Sequence, residues 1–116
     1  TASTSGLGGD PDMWAYNTSK GAVINLVRAA AVDLGADNIT VNAVCPGEVD
    51  TPMLRGAGRA VPLTDAQLAE MADRVVPNGR LAQPEEIGRV VVFLCPDAAS
   101  YMTGALVPVD GGWSAG

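Results

Sequence analysis

The chain contains no histidine among its 116 residues. That absence excludes Ser-His-Asp triads and removes the usual ligand of most catalytic zinc sites, so we expect no metal site. Proton transfer in an active site of this chain would therefore fall to tyrosine, lysine, cysteine or a carboxylate.

Basic residues are few as well. Seven Lys and Arg stand against thirteen Asp and Glu, which gives a formal net charge of −6. Binding to the phosphate backbone of DNA or RNA depends on basic patches, so the composition argues against a nucleic-acid partner. No apolar run approaches the roughly 20 residues that a membrane span needs, which argues against a membrane partner.

Cysteine is scarce. Cys45 and Cys95 are far apart in the sequence, and each lies in an apolar stretch. Two buried thiols in a reducing compartment are favoured over a disulfide. The sequence therefore predicts a cytoplasmic protein with both cysteines buried.

Hydrophobic spacing and end signals predict three helices and two strands. In chain order they are a helix at 13–34, a strand at 39–45 that is buried on both faces, a helix from 64 to about 75, a helix at 84–94 and a strand at 105–109. The first nine residues indicate the end of a strand running into a loop.

The ends of these elements carry specific signals. Asp12 is the predicted N-cap of the long helix, and Gly35 is its predicted stop. Thr64 and Gln67 have the spacing of a capping box. Pro96 is expected to stop the third helix, and Pro108 to place the last strand at a sheet edge, because proline cannot donate to a ladder on both sides.

This order of elements is typical of a doubly wound α/β fold with a parallel sheet. Two parallel strands cannot make such a sheet alone. We therefore expect residues 1–116 to be a single incomplete domain whose other strands come from sequence outside it.

Tyr16 and Lys20 lie four residues apart in the first turns of the long helix, so they share one helix face. A positive charge beside a phenol favours the phenolate. Such a tyrosine can give a proton to an alkoxide or take one from an alcohol. The spacing alone is common, and a surface pair on an ordinary helix would also show it.

Ser3 precedes Tyr16 by thirteen residues, and with Lys20 the set resembles the Ser…Tyr-x-x-x-Lys signature of the short-chain dehydrogenase/reductase family. Residues 42–53 are similar to that family's Asn-x-Val-x-Pro-Gly-x-Val-x-Thr-Pro-Met segment. Further matches in order and spacing fall at 84–87, Gly104 and 110–112. The resemblance covers essentially the whole chain.

The resemblance implies the C-terminal, catalytic half of a Rossmann-type, NAD- or NADP-dependent oxidoreductase that interconverts a secondary alcohol and a ketone by hydride transfer. It implies that Tyr16 is the catalytic acid/base, that Lys20 binds the ribose hydroxyls of the cofactor, and that Ser3 hydrogen-bonds the substrate oxygen. Ser5 competes for that last role, but its eleven-residue offset from Tyr16 fits the pattern less well.

The same resemblance assigns cofactor contacts to the loop after the first predicted strand. Pro46 and Gly47 would let the backbone pass close to the nicotinamide ring. Val49, through its backbone, and Thr51 would bind the carboxamide. Tyr16 and Lys20 complete the implied cofactor-binding set.

Other residues of the chain have plainer interpretations. Asn42 is expected to be a satisfied structural residue, and Trp14 and Trp113 to be packing residues. We expect Glu48 and Asp50 to be solvated, and prefer solvent over an anionic substrate as the surroundings of Arg55 and Arg59. The segment 54–75 should cover a small or medium apolar alcohol or ketone.

The Gly-rich phosphate loop of the family is not found in residues 1–116, nor are the residues that choose between NAD and NADP. The choice of cofactor therefore stays open. The resemblance implies a homo-oligomer, a tetramer or a dimer, for the parent protein. The alternative is a catalytically inactive truncated fragment that acts at most as an oligomerisation or interaction piece.

Overall fold

The computed structural model describes residues 1–56, 61–95 and 97–116. The expectations for Arg59 and for Pro96 as a helix stop lie outside these residues. The described helices are α1 (Trp14–Leu34), α2 (Asp65–Val75) and α3 (Pro84–Leu94), and the strands are β1 (Ala43–Pro46) and β2 (Leu106–Val109). Short 3-10 turns lie at Thr4–Gly6, Gly35–Asp37, Asp97–Ala99 and Trp113–Ala115.

The two strands pair in parallel, with Ala43 opposite Leu106 and Pro46 opposite Val109. The carbonyls that face β1 are those of Ala105 and Val109, which accept from the N–H groups of Ala43 and Gly47. Because backbone groups alternate along a strand, the nitrogen of Pro108 faces away from β1. The position of Pro108 therefore agrees with the edge predicted for this strand.

The beginning of the chain lies along the other side of β1. The N–H of Ala2 donates to the carbonyl of Val44 at 2.9 Å. Residues 1–3 hold no strand of their own, but this single bond continues the sheet in the way a strand end would. β1 thus lies between the start of the chain and β2.

Helix α1 covers one face of this small sheet with its apolar stripe. Ile24 and Val27 are buried there against Cys45, which is fully buried. Ala43, Val44 and Cys45 are consecutive and all buried, so β1 is buried on both faces as predicted. The central cluster comprises Ala2, Ile24, Val27, Ala43 and Cys45, with Val23, Val41 and Leu106 packed against it.

Helix α2 begins with a capping box. The Thr64 hydroxyl accepts from the Gln67 N–H at 3.3 Å, and the Gln67 side chain accepts from the Thr64 N–H at 2.9 Å. At α3, which has Pro84 in its first turn, the Glu86 carboxylate accepts from the Gln83 N–H at 2.8 Å, and the Glu86 N–H donates to the Gln83 carbonyl at 2.9 Å. A hydrogen bond from Arg80, then one from the Gln83 backbone, lowers the pKa of Glu86 to about 2. The predicted starts of both helices are confirmed. They could be predicted because the signals involve residues within a single helical turn.

The ends of α1 differ from the prediction. Asp12 does not cap the helix: its φ is +59°, in the left-handed region, and Met13 takes the N-cap position without a side-chain hydrogen bond. Gly35 does follow the last helical residue, but its φ is −59° and the chain continues through a 3-10 turn. Asn38, with φ +59°, takes the left-handed position that ends this turn.

Strand β1 is shorter than predicted. At residues 41 and 42, hydrogen bonds that involve side chains take the place of the backbone bonds between strands. The Val41 N–H donates to the Thr103 hydroxyl at 3.1 Å. The Asn42 amide donates to the Met102 carbonyl at 2.7 Å and accepts from the Ala105 N–H at 3.1 Å. Asn42 is therefore the satisfied structural residue that we expected.

Several apolar side chains are exposed. Cys95, at the end of α3, is exposed, so the prediction of two buried cysteines is wrong for this residue; both thiols are free. Trp14 is 81% exposed, so the packing role predicted for it is not fulfilled by any element that the structure describes. Leu26, Val32 and Phe93 are also exposed.

No helix in the described part of the chain is both long and apolar enough to cross a membrane. Within the same residues, no group of three or more potential ligands could hold a metal ion.

Candidate active site

Ser3 lies at the N-cap of the first 3-10 turn with an extended backbone, and only 8% of it is exposed. Its Oγ accepts from the Ser5 N–H at 3.2 Å. On either side the chain is attached to β1, through the Ala2 N–H as described and through the Thr4 hydroxyl, which donates to the Pro46 carbonyl at 3.3 Å. Ser3 is therefore fixed relative to the end of β1.

Tyr16 and Lys20 occupy the first two turns of α1 and face each other as their spacing predicts. The Lys20 Nζ lies 5.6 Å from the centroid of the Tyr16 ring. The same Nζ donates to the Thr1 carbonyl at 3.3 Å. The ammonium thus lies between the tyrosine ring and the segment that carries Ser3.

Gly6 brings this segment into direct contact with the backbone of α1. A Cβ at Gly6 would lie 2.8 Å from the carbonyl carbon and oxygen of Lys20 and 2.8 Å from Cδ1 of Ile24. No residue with a side chain fits there without moving the turn or the helix. The sequence alone did not single out Gly6 as a residue that joins Ser3 to Lys20.

Asn17, next to Tyr16, braces the loop that leads into α1. Its amide Nδ2 donates to the Asp10 carbonyl at 3.0 Å. This bond spans seven residues and fixes the loop against the helix turn that holds Tyr16.

The predicted cofactor segment, residues 46–51, leaves the carboxyl end of β1. The Gly47 N–H donates to the Val109 carbonyl at 3.2 Å, so the pairing with β2 continues to this residue. A Cβ at Gly47 would lie 2.8 Å from the Cβ of Asp110. Packing against Asp110 is thus a reason for glycine here, separate from the predicted approach of a cofactor.

Val49 forms an isolated parallel bridge with Ala82. The bridge uses the carbonyl of Glu48, which accepts from the Ala82 N–H at 3.0 Å, and the N–H of Asp50, which donates to the Ala82 carbonyl at 2.9 Å. The N–H and C=O of Val49 itself face the opposite side, where they have no hydrogen-bond partner among the described residues. They are available to a ligand.

Thr51 begins the turn that follows the bridge. Its hydroxyl oxygen accepts from the Leu54 N–H at 3.3 Å, and its carbonyl accepts from the Arg55 N–H at 3.0 Å. The hydroxyl hydrogen of Thr51 is not used in either bond.

Two charged residues of this loop, Asp50 and Arg55, are paired with each other. Arg55 donates from Nε and Nη2 to the two carboxylate oxygens of Asp50 at 2.5 and 2.8 Å, and from Nη1 to Asp65 at 2.7 Å. The hydrogen bond from Arg55 lowers the pKa of Asp50, and the two carboxylates raise the pKa of Arg55. The expectation that Asp50 and Arg55 face solvent is therefore wrong.

Glu48 is half-buried, which also differs from the expected solvated state. Burial, and then the charge of Asp10, raises the pKa of its carboxyl. It lines a cavity of about 150 Å³ between the predicted cofactor segment, the end of α2 and the turn after β2, together with Val76, Asn78, Arg80, Ala82, Glu86, Val109, Asp110 and Gly111.

The turn after β2 is organised by the carboxylate of Asp110. It accepts from the N–H groups of Gly112 and Ser114 at 3.0 Å each and from the Ser114 hydroxyl at 2.5 Å. Burial raises the pKa of Asp110, but the hydrogen bonds from Ser114 and Gly112 outweigh it and hold the pKa below its ordinary value. Trp113 is partly buried, and a Cβ at Gly8 would lie 3.8 Å from its ring.

The structure thus places the Ser3 segment and the start of the predicted cofactor segment at the carboxyl end of β1, with Lys20 bonded to the Ser3 segment. Ser3 follows the chain start that pairs with β1, Tyr16 and Lys20 are held against its segment, and Gly47 leaves β1 beside the end of β2. Ligands of open α/β sheets bind at the carboxyl ends of the strands, which is this edge.

The chain is similar to known proteins over nearly its whole length. A family model described as enoyl-(acyl carrier protein) reductase matches residues 1–114. Meso-2,3-butanediol dehydrogenase of Serratia marcescens is 44% identical over 115 residues, which cover 99% of this chain and 43% of that protein. The chain therefore spans less than half the length of this curated relative.

Solved structures show the same fold. A short-chain dehydrogenase family protein from Francisella tularensis superposes with a TM-score of 0.90 at 36% identity, covering all of this chain and 50% of the other. A 4-hydroxyisoleucine dehydrogenase complexed with NADH gives a TM-score of 0.81 at 33% identity, covering 99% and 44%. The predicted Rossmann-type α/β class is confirmed, and the chain belongs to the short-chain dehydrogenase/reductase family of oxidoreductases.

Proposed function

We propose that residues 1–116 form the C-terminal, catalytic half of an NAD- or NADP-dependent oxidoreductase that interconverts a secondary alcohol and a ketone. The observation that carries the proposal is the attachment of the Ser3 turn to both β1 and the Tyr16–Lys20 helix, through Gly6 and the Lys20 Nζ. The match to a butanediol dehydrogenase supports a secondary alcohol as the substrate class.

In this proposal Tyr16 moves the proton. During oxidation its phenolate takes the hydroxyl proton of the alcohol, and in reduction its hydroxyl gives that proton back. The Lys20 ammonium lies 5.6 Å from the centroid of the Tyr16 ring, on the helix face that the two residues share. A nicotinamide cofactor, which Lys20, Val49 and Thr51 would hold, would supply the hydride acceptor for oxidation and the hydride donor for reduction.

Ser3 holds the substrate oxygen. A serine hydroxyl has one hydrogen to donate, and the Ser3 oxygen already accepts from the Ser5 N–H. The hydrogen is therefore free to stabilise charge on the substrate oxygen.

The remaining donors and acceptors suit a nicotinamide nucleotide. Lys20 has three ammonium hydrogens and one described acceptor, the Thr1 carbonyl, so it can also bind two ribose hydroxyls. The free N–H and C=O of Val49, with the hydroxyl hydrogen of Thr51, match the carbonyl and amide of a carboxamide. Pro46 and Gly47 would lie beside the ring, with no side chain at 47 to obstruct it.

We also propose that the parent protein is cytoplasmic and forms a homo-oligomer, a tetramer or a dimer. Two features support this proposal: both thiols are free, and α1 exposes Trp14, Leu26 and Val32 at 81%, 66% and 81%. Apolar side chains exposed together on one helix suit a contact with another subunit.

The test of the proposed reaction is Tyr16→Phe in the intact enzyme that contains this sequence. Loss of a general acid/base should lower kcat for a secondary alcohol by about 10²- to 10⁴-fold, with the Kd for the cofactor little changed. Tyr101→Phe is the matched control, because Tyr101 is fully exposed and should leave kcat unchanged. Full turnover by the Tyr16→Phe enzyme would contradict the assignment.

A second candidate concerns the 116-residue chain by itself. Since it spans 43% of its butanediol dehydrogenase relative, the isolated chain is proposed to be catalytically inactive and to serve at most as an oligomerisation or interaction piece. Titration of the purified chain with NADH and NADPH, followed by energy transfer from Trp14 and Trp113, tests this. Saturable binding would contradict it.

A further inference from the structure

We propose that Arg55 is a positioning residue that holds the start of α2 against residues 46–51, and that this attachment sets the affinity for the nicotinamide cofactor. The inference rests on the proposed function. It concerns a residue outside the Ser, Tyr and Lys set, and it assigns Arg55 a role other than binding an anionic substrate.

The side chain of Arg55 joins two elements. Its guanidinium donates one hydrogen bond to each carboxylate oxygen of Asp50. Its third nitrogen donates to the carboxylate of Asp65, in the first turn of α2. Asp50 belongs to the predicted cofactor segment. We call these three residues the Arg55 junction.

The main chain of Arg55 makes the same connection a second time. Its N–H donates to the carbonyl of Thr51 at 3.0 Å, on the side of the cofactor segment. Its carbonyl accepts from the N–H of Leu63 at 2.9 Å, next to the N-cap of α2. One residue therefore links the two elements by five hydrogen bonds to four residues, three from its side chain and two from its main chain.

The position of Asp50 explains why this link would affect the cofactor. Asp50 lies between Val49, whose backbone groups are free, and Thr51, whose hydroxyl hydrogen is free. Its N–H is held by the Ala82 carbonyl and its carboxylate by Arg55. The Asp50 N–H shares its peptide plane with the Val49 carbonyl, so the bond to Ala82 orients that carbonyl. The bonds from Arg55 to the Asp50 side chain and to the Thr51 carbonyl restrict the chain on the other side of Asp50, so the groups offered to the carboxamide are ordered before binding.

The two ion pairs of the Arg55 junction, the Asp50 arm and the Asp65 arm, differ in solvent exposure. The side chain of Asp50 is 21% exposed and that of Asp65 is 88% exposed, while Arg55 is 42% exposed. Exposed ion pairs contribute little, whereas a bidentate guanidinium–carboxylate pair adds geometric order. The Asp50 arm should therefore dominate, and lysine should not replace arginine fully because it lacks the planar fork.

The experiment measures the Kd for NADH and NADPH, together with kcat and KM, in the intact enzyme. Arg55→Met should raise the Kd of the preferred cofactor about five- to twentyfold, with Arg55→Lys intermediate and Asp65→Asn below about threefold. Arg74→Met is the matched control. Arg74 lies in the last turn of the same helix, has no ion pair among the described residues, and should change the Kd less than about twofold.

Measuring kcat and the KM for the cofactor separately distinguishes a positioning role of Arg55 from a general loss of stability. Loss of folded enzyme would lower the apparent kcat and leave the KM for the cofactor unchanged, whereas a misplaced cofactor segment raises that KM. A Kd within twofold of wild type for Arg55→Met would overturn the inference. If this variant is not recovered folded, Arg55→Lys decides: a rise of about threefold or more supports the role, and a rise below twofold overturns it.

The same data separate this inference from the proposed function. If the wild-type enzyme binds neither cofactor, the proposed function fails. If the wild type binds and the Arg55 variants bind equally well, only the role of Arg55 fails.

Discussion

Gly47 and Asp110 are packed so closely that a Cβ at position 47 would lie 2.8 Å from the Asp110 Cβ and 2.9 Å from its Cα. The contact joins the carboxyl end of β1 to that of β2. It places the predicted cofactor segment directly against the turn that Asp110 organises. Two residues that lie far apart in the sequence thus form one side of the candidate site.

Gly47→Ala should lower the stability of the protein, because the new methyl group would clash with Asp110. The added methyl group overlaps both side-chain and backbone atoms of Asp110, and overpacking of this kind costs about 1–3 kcal/mol. The expected result is a lower free energy of unfolding in urea and a higher Kd for the cofactor. Gly88→Ala, inside α3 with no atom within 4 Å of its new Cβ, should be neutral or stabilising. Equal stability of the two variants would contradict the packing argument.

Gly6→Ala should separate the Ser3 turn from α1. Its Cβ would meet the Lys20 carbonyl at 2.8 Å, and backbone atoms cannot yield as a flexible side chain can. We expect kcat to fall about tenfold or more, because a small displacement between catalytic groups has a large effect on rate. Gly9→Ala, with no neighbour within 4 Å, is the control. An unchanged kcat for Gly6→Ala would show that the turn is not held by this contact.

The carboxylate of Asp110 should make stability depend on pH. Its folded-state pKa lies below the ordinary value of about 3.9, so it contributes stability that is fully present above that pH and is lost as the pH falls towards the folded-state pKa. Asp110→Asn should lower the free energy of unfolding by about 1–3 kcal/mol at pH 6, and the difference should shrink below about pH 4.

Urea denaturation of both proteins at a series of pH values measures this dependence. Ser114→Ala should reproduce part of the loss at pH 6, since it removes the hydroxyl that donates to Asp110. A difference between wild type and Asp110→Asn that does not vary with pH would argue against the ionised carboxylate as the organising group.

The features that could be predicted from the sequence are those with local causes. The capping box of Thr64 and Gln67 and the facing of Tyr16 and Lys20 follow from spacings of three or four residues. The start of β1 could not be predicted, because the Asn42 side chain bonds to Met102 and Ala105, about sixty residues away.

The Arg55 junction and the Gly6–Lys20 contact could not be predicted from the sequence either, because they too join residues through the folded chain. Arg55 meets Asp65 through a loop whose path the sequence does not specify, and Gly6 meets Lys20 only once α1 has packed against the sheet. A loop arginine flanked by two aspartates within ten residues is the one signal that could have suggested pairing instead of solvent exposure.

The most direct test of the proposed reaction follows the hydride itself. The intact enzyme is given a secondary alcohol that carries deuterium on its carbinol carbon, with NAD⁺ or NADP⁺, and the reduced cofactor is analysed by mass spectrometry. We expect deuterium in the reduced cofactor with the wild-type enzyme, and its formation slowed by about 10²-fold or more with Tyr16→Phe. A reduced cofactor without deuterium, or equal transfer by both enzymes, would contradict hydride transfer with Tyr16 as the acid/base.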